Sequence, residues 1–414
     1  MRWSRVVMRT LAAGAIAASA AHAQERPARS FTGSVRAGYW SSTRDLDTRE
    51  PLGAGMVWLK GSTPLGARVS LFGEGWAALR GPVHSSHGTL ELREAFVAIA
   101  SGSLELRLGR QILAWGRADG VNPTGNLAAE DLTLLTPDDA DRRLGTTTAV
   151  ASYFVGGASV SAVWLPEFRG HRFPLPASGG SFVHERPDWP GDQWAARVER
   201  TGGSVDWSAS YFQGLDLTPD LAPGGTTGLV ILNHHRVRVI GADAATTVDR
   251  FGVRVEGAYT RTADANGADP FGKTPFLFAV VGADRTYFEG RFNLNVQYLW
   301  RHLSSYRPTR DDDASETASL ASLQAILSSQ TRRTQHGASM RASYKWLHET
   351  LETEWAAIGY ASPGGIAMRP KITYAVNDRV SAIAGAEVFR GETNSLFQLL
   401  RPNSVAYLEA RWGF

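Results

Sequence analysis

The side chains capable of nucleophilic or metal chemistry give little from which to build an enzyme. The 414-residue chain has 10 histidines and no cysteine, which removes disulfide frameworks, thiolate zinc sites, iron–sulfur ligation and a cysteine nucleophile together. His84-Ser85-Ser86-His87 and His234-His235 lack a third ligand at metal-binding spacing. No Gly-x-Ser-x-Gly elbow and no phosphate-cradling Walker loop occurs. No catalytic residue, metal or cofactor is therefore expected, and the chain reads as a non-enzyme. What it does offer is charge at alternate positions: Glu74, Glu91, Arg93, Glu105, Arg107, Arg197, Arg254, Glu256, Arg291, Arg341, Lys371, Glu387, Glu409 and Arg411. Rings of such groups on the inner face of a wall set the potential that a crossing solute meets. The alternative is that acids and bases pair across strands and only solvate the wall.

The stretch 116–145 concentrates further charge, with Glu130, Asp131, Asp138, Asp139 and Asp141 followed by Arg142 and Arg143. Folded inward, it would form a constriction with its acids near wall arginines such as Arg107 and Arg197. Standing outward, it would bind divalent cations at a lipopolysaccharide surface or remain solvated.

These residues need elements to carry them, and the pattern is strict alternation of period two. In 104–108 leucines alternate with Glu105 and Arg107; in 288–300 Phe292, Leu294, Val296, Tyr298 and Trp300 alternate with Asn293, Asn295 and Gln297. Amphipathic strands are expected at 31–40, 54–62, 67–79, 89–100, 103–115, 146–156, 157–168, 192–201 and 204–215. They continue at 229–245, 249–262, 275–284, 285–301, 335–346, 349–361, 364–376, 379–391 and 402–414. This is an all-β, antiparallel up-and-down transmembrane barrel of about 18 strands, with 16 the count if one hairpin is misread. Tight turns such as 156–157, 202–203, 347–349 and 377–378 alternate with long connections at 116–145, 169–191, 216–228, 263–274 and 302–334. Short periplasmic turns and long extracellular loops have this asymmetry. The tight turn at 361–364 falls where an external loop is expected. The uncharged run 146–166 is long enough for a membrane helix, but its Gly156-Gly157 break and β-branched content favour a hairpin. Residues 314–329, with leucines at helical spacing, read as a helix inside an external loop.

Composition agrees with a barrel. A mean hydropathy of -0.20 is too polar for a helical transporter, whereas barrel strands need only half their residues apolar. The 13 Trp, 11 Tyr and 17 Phe fit interfacial girdles; Tyr39, Trp40, Trp115, Trp164, Tyr259, Trp300, Trp346 and Trp355 fall at suitable places. Arg2, Arg5 and Arg9, the apolar run 11–20 and Ala21-His22-Ala23 form a secretory leader, 1–23. A short periplasmic segment, 24–30, and a barrel domain, 31–414, would follow. Residues 24–414 hold 40 bases and 40 acids, so the sequence pI near 9.2 implies no nucleic-acid partner. The chain closes on Leu408, Ala410, Trp412 and Phe414 alternating with Glu409, Arg411 and Gly413. This resembles the terminal signature, Trp412 and Phe414 here, of proteins handed to the barrel-assembly machinery of the Gram-negative outer membrane.

One compact motif stands apart: Gly109-Arg110-Gln111, then Trp115-Gly116-Arg117, then Asn122-Pro123. Residues 106–123 resemble a proteobacterial outer-membrane β-barrel family labelled only as a domain of unknown function, and the Gly-Arg-Gln portion resembles the alginate-export porins. The resemblance implies an outer-membrane, porin-like channel for small solutes, among them organic or poorly soluble compounds, in contact with membrane lipid and lipopolysaccharide. Pore-lining candidates are Arg93, Arg107, Arg110, Gln111, Arg197, Arg254, Glu256, Arg291 and Arg341. The bland alternative makes Gly109 and Gly116 bulges where the strand bends, with Arg110 capping carbonyls. A polysaccharide export channel, a surface enzyme and an adhesin on a closed barrel are the competing readings.

Overall fold

The protein is described by a computed structural model covering residues 29–43, 50–81, 87–174, 181–185, 193–225, 228–306 and 316–414. The leader at 1–23 and most of the segment 24–30, as well as His84, Ser85 and Ser86, lie outside these residues.

Eighteen antiparallel strands, from Ser30–Trp40 to Val405–Gly413, form one continuous sheet. Each strand pairs with its neighbours in sequence, and the first also pairs with the last, Val35 opposite Trp412 and Trp40 opposite Tyr407. The sheet is thus a closed barrel without a free edge, the architecture that satisfies every wall amide inside a bilayer. Side-chain parity gives the wall two chemical faces. On Phe292–Leu303, Val296 and Tyr298 are exposed outward while Asn295 and Gln297 are buried inward. The same split separates Leu408 and Trp412 from Glu409 and Arg411.

The uncharged run is a hairpin, Thr146–Val155 and Ala158–Leu165, turning on Gly156 and Gly157, whose φ of 53° and 79° are both left-handed. Two-residue hairpins of this hand match the twist of the flanking strands. Among the described residues no helix is long and apolar enough to cross a membrane. Connections alternate as expected, the tight external turn between Leu351–Ala361 and Gly364–Ala375 included.

Three boundaries differ from the sequence reading by four residues or more. The strand expected at 103–115 ends at Gln111, because the chain turns into the lumen there. The run 229–245 is broken: Leu229–Asn233 joins a separate small sheet, parallel to Ser181–His184 and antiparallel to Asp220–Pro223, and the wall strand is Arg236–Val248. The turn expected between 284 and 285 lies at Phe288–Gly290, where three successive residues have positive φ. Arg291 therefore belongs to an exposed tight turn rather than the pore lining, its Nε donating to the Phe288 carbonyl at 3.3 Å.

Outside the wall, several long connections build on one another. The helix Glu316–Leu327 sits in an external loop, as read, and lies against Asp220–Pro223: Gln324 accepts from the Leu221 amide at 2.8 Å and donates to Asp220 at 2.5 Å. Lys273 sits between Asp216 and Asp220 at 3.0 and 2.9 Å.

Candidate functional site

The connection 112–145 lies within the barrel, and two glycines set its course. Gly109 has φ of 131°, and a β-carbon there would lie 2.3 Å from the Ala95 carbonyl oxygen; one on Gly145 would lie 1.8 Å from that of Arg93. Both ends of the loop therefore press on the backbone of His87–Ser101 as no side chain would allow. That strand carries a bulge at Arg93, which re-aims its guanidinium. Arg93 pairs with Glu74 and donates to the Ala140 and Arg143 carbonyls at 2.7 and 3.1 Å.

The first arm of the loop is built around a wall carboxylate. Glu256, 1% exposed, accepts from the amides of Arg117, Ala118 and Thr124 at 2.7, 2.9 and 2.8 Å and from the Thr124 hydroxyl at 2.8 Å. Gly116, at φ of 102°, leaves room for this carboxylate, which would come within 2.6 Å of an added β-carbon. Asn122 closes the turn by donating to the Trp115 carbonyl at 3.2 Å. Arg117 spans to Asp243 and Glu199 at 2.6 and 2.7 Å. Asp119 exchanges backbone hydrogen bonds with the Gln297 amide side chain and accepts from Arg341 Nε at 3.1 Å.

The second arm is held by charge. Asp138 meets Arg411 at 2.9 Å and Lys371 at 3.4 Å. Asp139 meets Arg369, with Arg142 and Arg341 each at 3.5 Å, and Asp141 meets Arg36 at 2.5 Å. Arg142 reaches Glu387 at 2.5 Å, and Arg143 lies opposite Glu130 in a two-residue pairing inside the loop. Arg341 contacts both arms, through Asp119 and Asp139. Between the charges, Leu134 packs with Trp58, Trp76 and Ala78. Leu135 packs with Trp40, Leu52, Ile383, Val405 and Tyr407. Burial raises the carboxyls of Asp138 and Asp139. The surrounding cations, Arg411 and Lys371 for the first and Arg369, Arg142 and Arg341 for the second, outweigh it and hold both below the ordinary carboxylate range.

Arg93, Gln111, Arg197, Arg254, Glu256 and Arg341 lie on inward positions of the wall, Gln111 donating to the Thr148 carbonyl at 3.4 Å. Arg107 does too, but pairs with Glu105. Arg197 pairs with Glu199 and Asp243 at 3.2 and 3.6 Å. Neither meets the loop acids, because the second arm crosses the lumen to the wall that runs from Thr334–Trp346 through the last strand to the first. Arg110 is corrected as well: it shares the parity of Leu104 and Leu108, faces Thr147 across the ladder and pairs with Glu167 at 3.0 Å on the outer face. Trp40, 1% exposed, and Trp115 belong inside the barrel rather than to a girdle, the first by parity with Arg36 and the second because the strand has ended. Sequence reading missed Arg36, Asp119, Asp243, Gln297 and Arg369. Parity with Lys371 was the available signal for Arg369.

The architecture has known counterparts. It aligns with Pseudomonas aeruginosa OccK2 (OpdF), solved in complex with glucuronate, at a TM-score of 0.55 and 9% identity over 93% of this chain and 97% of that one. Acinetobacter baumannii OccAB4 gives 0.54 at 9% identity over 93% and 98%, and Pseudomonas aeruginosa OccK5 (OpdH) 0.54 at 9% over 93% and 97%. The fold is that of an outer-membrane porin. No family model matches the chain, and no curated protein matches it.

Proposed function

We propose that this barrel is an outer-membrane channel for the passive passage of small organic solutes, gated in size by the loop 112–145. The observation that carries this reading is the double anchorage of the loop. One arm is fixed on Glu256, the other on Arg36, Arg369, Lys371 and Arg411, so the open cross-section is whatever the two arms leave. Barrels of this strand number are too wide for side chains alone to fill. Around the constriction, acids of the loop face bases of the wall, a transverse field that orients polar solutes as they pass. OccK2, of the same fold, was solved with glucuronate, which supports a solute of sugar-acid size. A polysaccharide would have to thread past a loop pinned at both ends, which favours small solutes over polymer export.

Single-channel recording in planar bilayers tests the proposal. Discrete open currents are expected from the purified protein, reduced by solutes that enter the constriction. A barrel that inserts and stays silent overturns it and returns the surface-enzyme and adhesin readings.

A further inference from the structure

Most charged groups of the inner wall meet a charge of opposite sign, whereas on the outer wall two arginines face each other. Arg238 and Arg261 are direct cross-strand partners on adjacent strands, Arg236–Val248 and Phe251–Arg261. Their parity is that of Ile240 and Tyr259, themselves cross-strand partners and exposed by 62% and 40% on the lipid-facing side. Both arginines are exposed, and Arg236, two residues further along, lies on the same face. Like charges directly opposite one another in a ladder are destabilising, and a cation toward lipid is costly away from the interface.

Neither Arg238 nor Arg261 has an ion-pair partner among the described residues. Two other outward arginines have side-chain contacts: Arg110 meets Glu167, and Arg285, at the opposite end of the barrel, lies over the rings of Phe251 and Tyr287. The pair sits at the end of its strands that leads into the long loops, about 7 Å beyond the Tyr259 level. Two guanidinium forks side by side, above an aromatic level and without carboxylates, match a phosphate group in the head-group layer.

We infer that Arg238 and Arg261 form a binding site for a phosphate of lipopolysaccharide on the outer wall of the barrel. The inference rests on the outer-membrane reading of the chain and on the long loops facing outward, not on channel activity. Guanidinium–phosphate pairing needs no bridging metal, so binding should survive a chelator.

Native mass spectrometry of the detergent-purified barrel tests this with three probes: bisphosphorylated lipid A, the same lipid dephosphorylated, and phosphatidylglycerol. The intact protein should bind bisphosphorylated lipid A about tenfold more tightly than either other probe, with or without EDTA. The double variant Arg238→Gln/Arg261→Gln should lose that preference while keeping its conductance. Equal binding by the double variant, or by dephosphorylated lipid A, overturns the site. Equal binding of phosphatidylglycerol overturns its assignment to lipopolysaccharide. Silent bilayers with the lipid A preference intact would count against the channel and leave this site standing.

Discussion

Glu256 shows how one side chain sets the course of a loop more than a hundred residues away in sequence. Four donors of the loop converge on it in a buried setting, and each donor left without a partner costs about 1–3 kcal/mol. Glu256→Ala should free the first arm and give larger, noisier single-channel currents, with Glu256→Gln intermediate; unchanged currents would mean that the arm is held by other contacts. The acids of the second arm yield a pH prediction. Because Asp138 and Asp139 are held below the ordinary range, their stabilisation is complete above the unfolded carboxylate pKa of ~3.9 and fades only as pH falls through the depressed folded values. The difference in reversal potential between the intact protein and Asp138→Asn/Asp139→Asn should stay constant from about pH 8 to about pH 4 and shrink only below that, whatever the other acids of the lumen do in between. Asp138→Asn/Asp139→Asn should shift selectivity toward anions at neutral pH, since Arg369, Lys371 and Arg411 then keep only their wall partners Glu387, Glu354 and Glu409.

At the scale of elements, the strands were legible because a wall with lipid on one side and water on the other writes its two faces into alternate residues. Each of the eighteen expected segments overlaps a different wall strand. The misread boundaries are places where alternation does not report geometry: the break before Arg236, where apolar residues 229–232 continue the pattern into a different sheet, and the turn at Phe288–Gly290, where an aromatic residue occupies a turn position. The loop was legible as an acidic segment next to a Gly-rich motif. Its partners were not, because Arg36, Gln297 and Arg369 come together with it only when distant strands close the circle. Deleting residues 126–143 should enlarge conductance, read at low and high salt alongside reversal potential. Identical values to the intact protein would show that the second arm does not narrow the path.

For the whole molecule, closure decides stability. Gly33 and Phe414 exchange backbone hydrogen bonds at 2.9 and 3.0 Å, and the Phe414 ring occupies the place of a Gly33 side chain, its nearest atom 2.5 Å from where a β-carbon would sit. The terminal aromatic thus completes the join between first and last strands in addition to the assembly role its sequence suggests. The folded protein should migrate anomalously in an unheated gel and normally after boiling, because a closed sheet offers detergent no edge. Removing Trp412 to Phe414 should leave periplasmic aggregate. Normal membrane levels of that truncation would show that the terminal residues are dispensable for closure.

The second arm has one more consequence, for how long the barrel lasts. Only seven positions pair between the first and last strands, against eleven between the first and second. Across that join lie Arg36 on one side and Arg411 on the other, gripped from within by Asp141 and Asp138 of the same loop, with Leu135 packed over Trp40 and Tyr407. The segment proposed to narrow the passage is also a rivet across its seam. Sequence changes that widen the passage by loosening this arm will therefore shorten the lifetime of the folded barrel, and permeability and durability will be traded against each other at the same few residues.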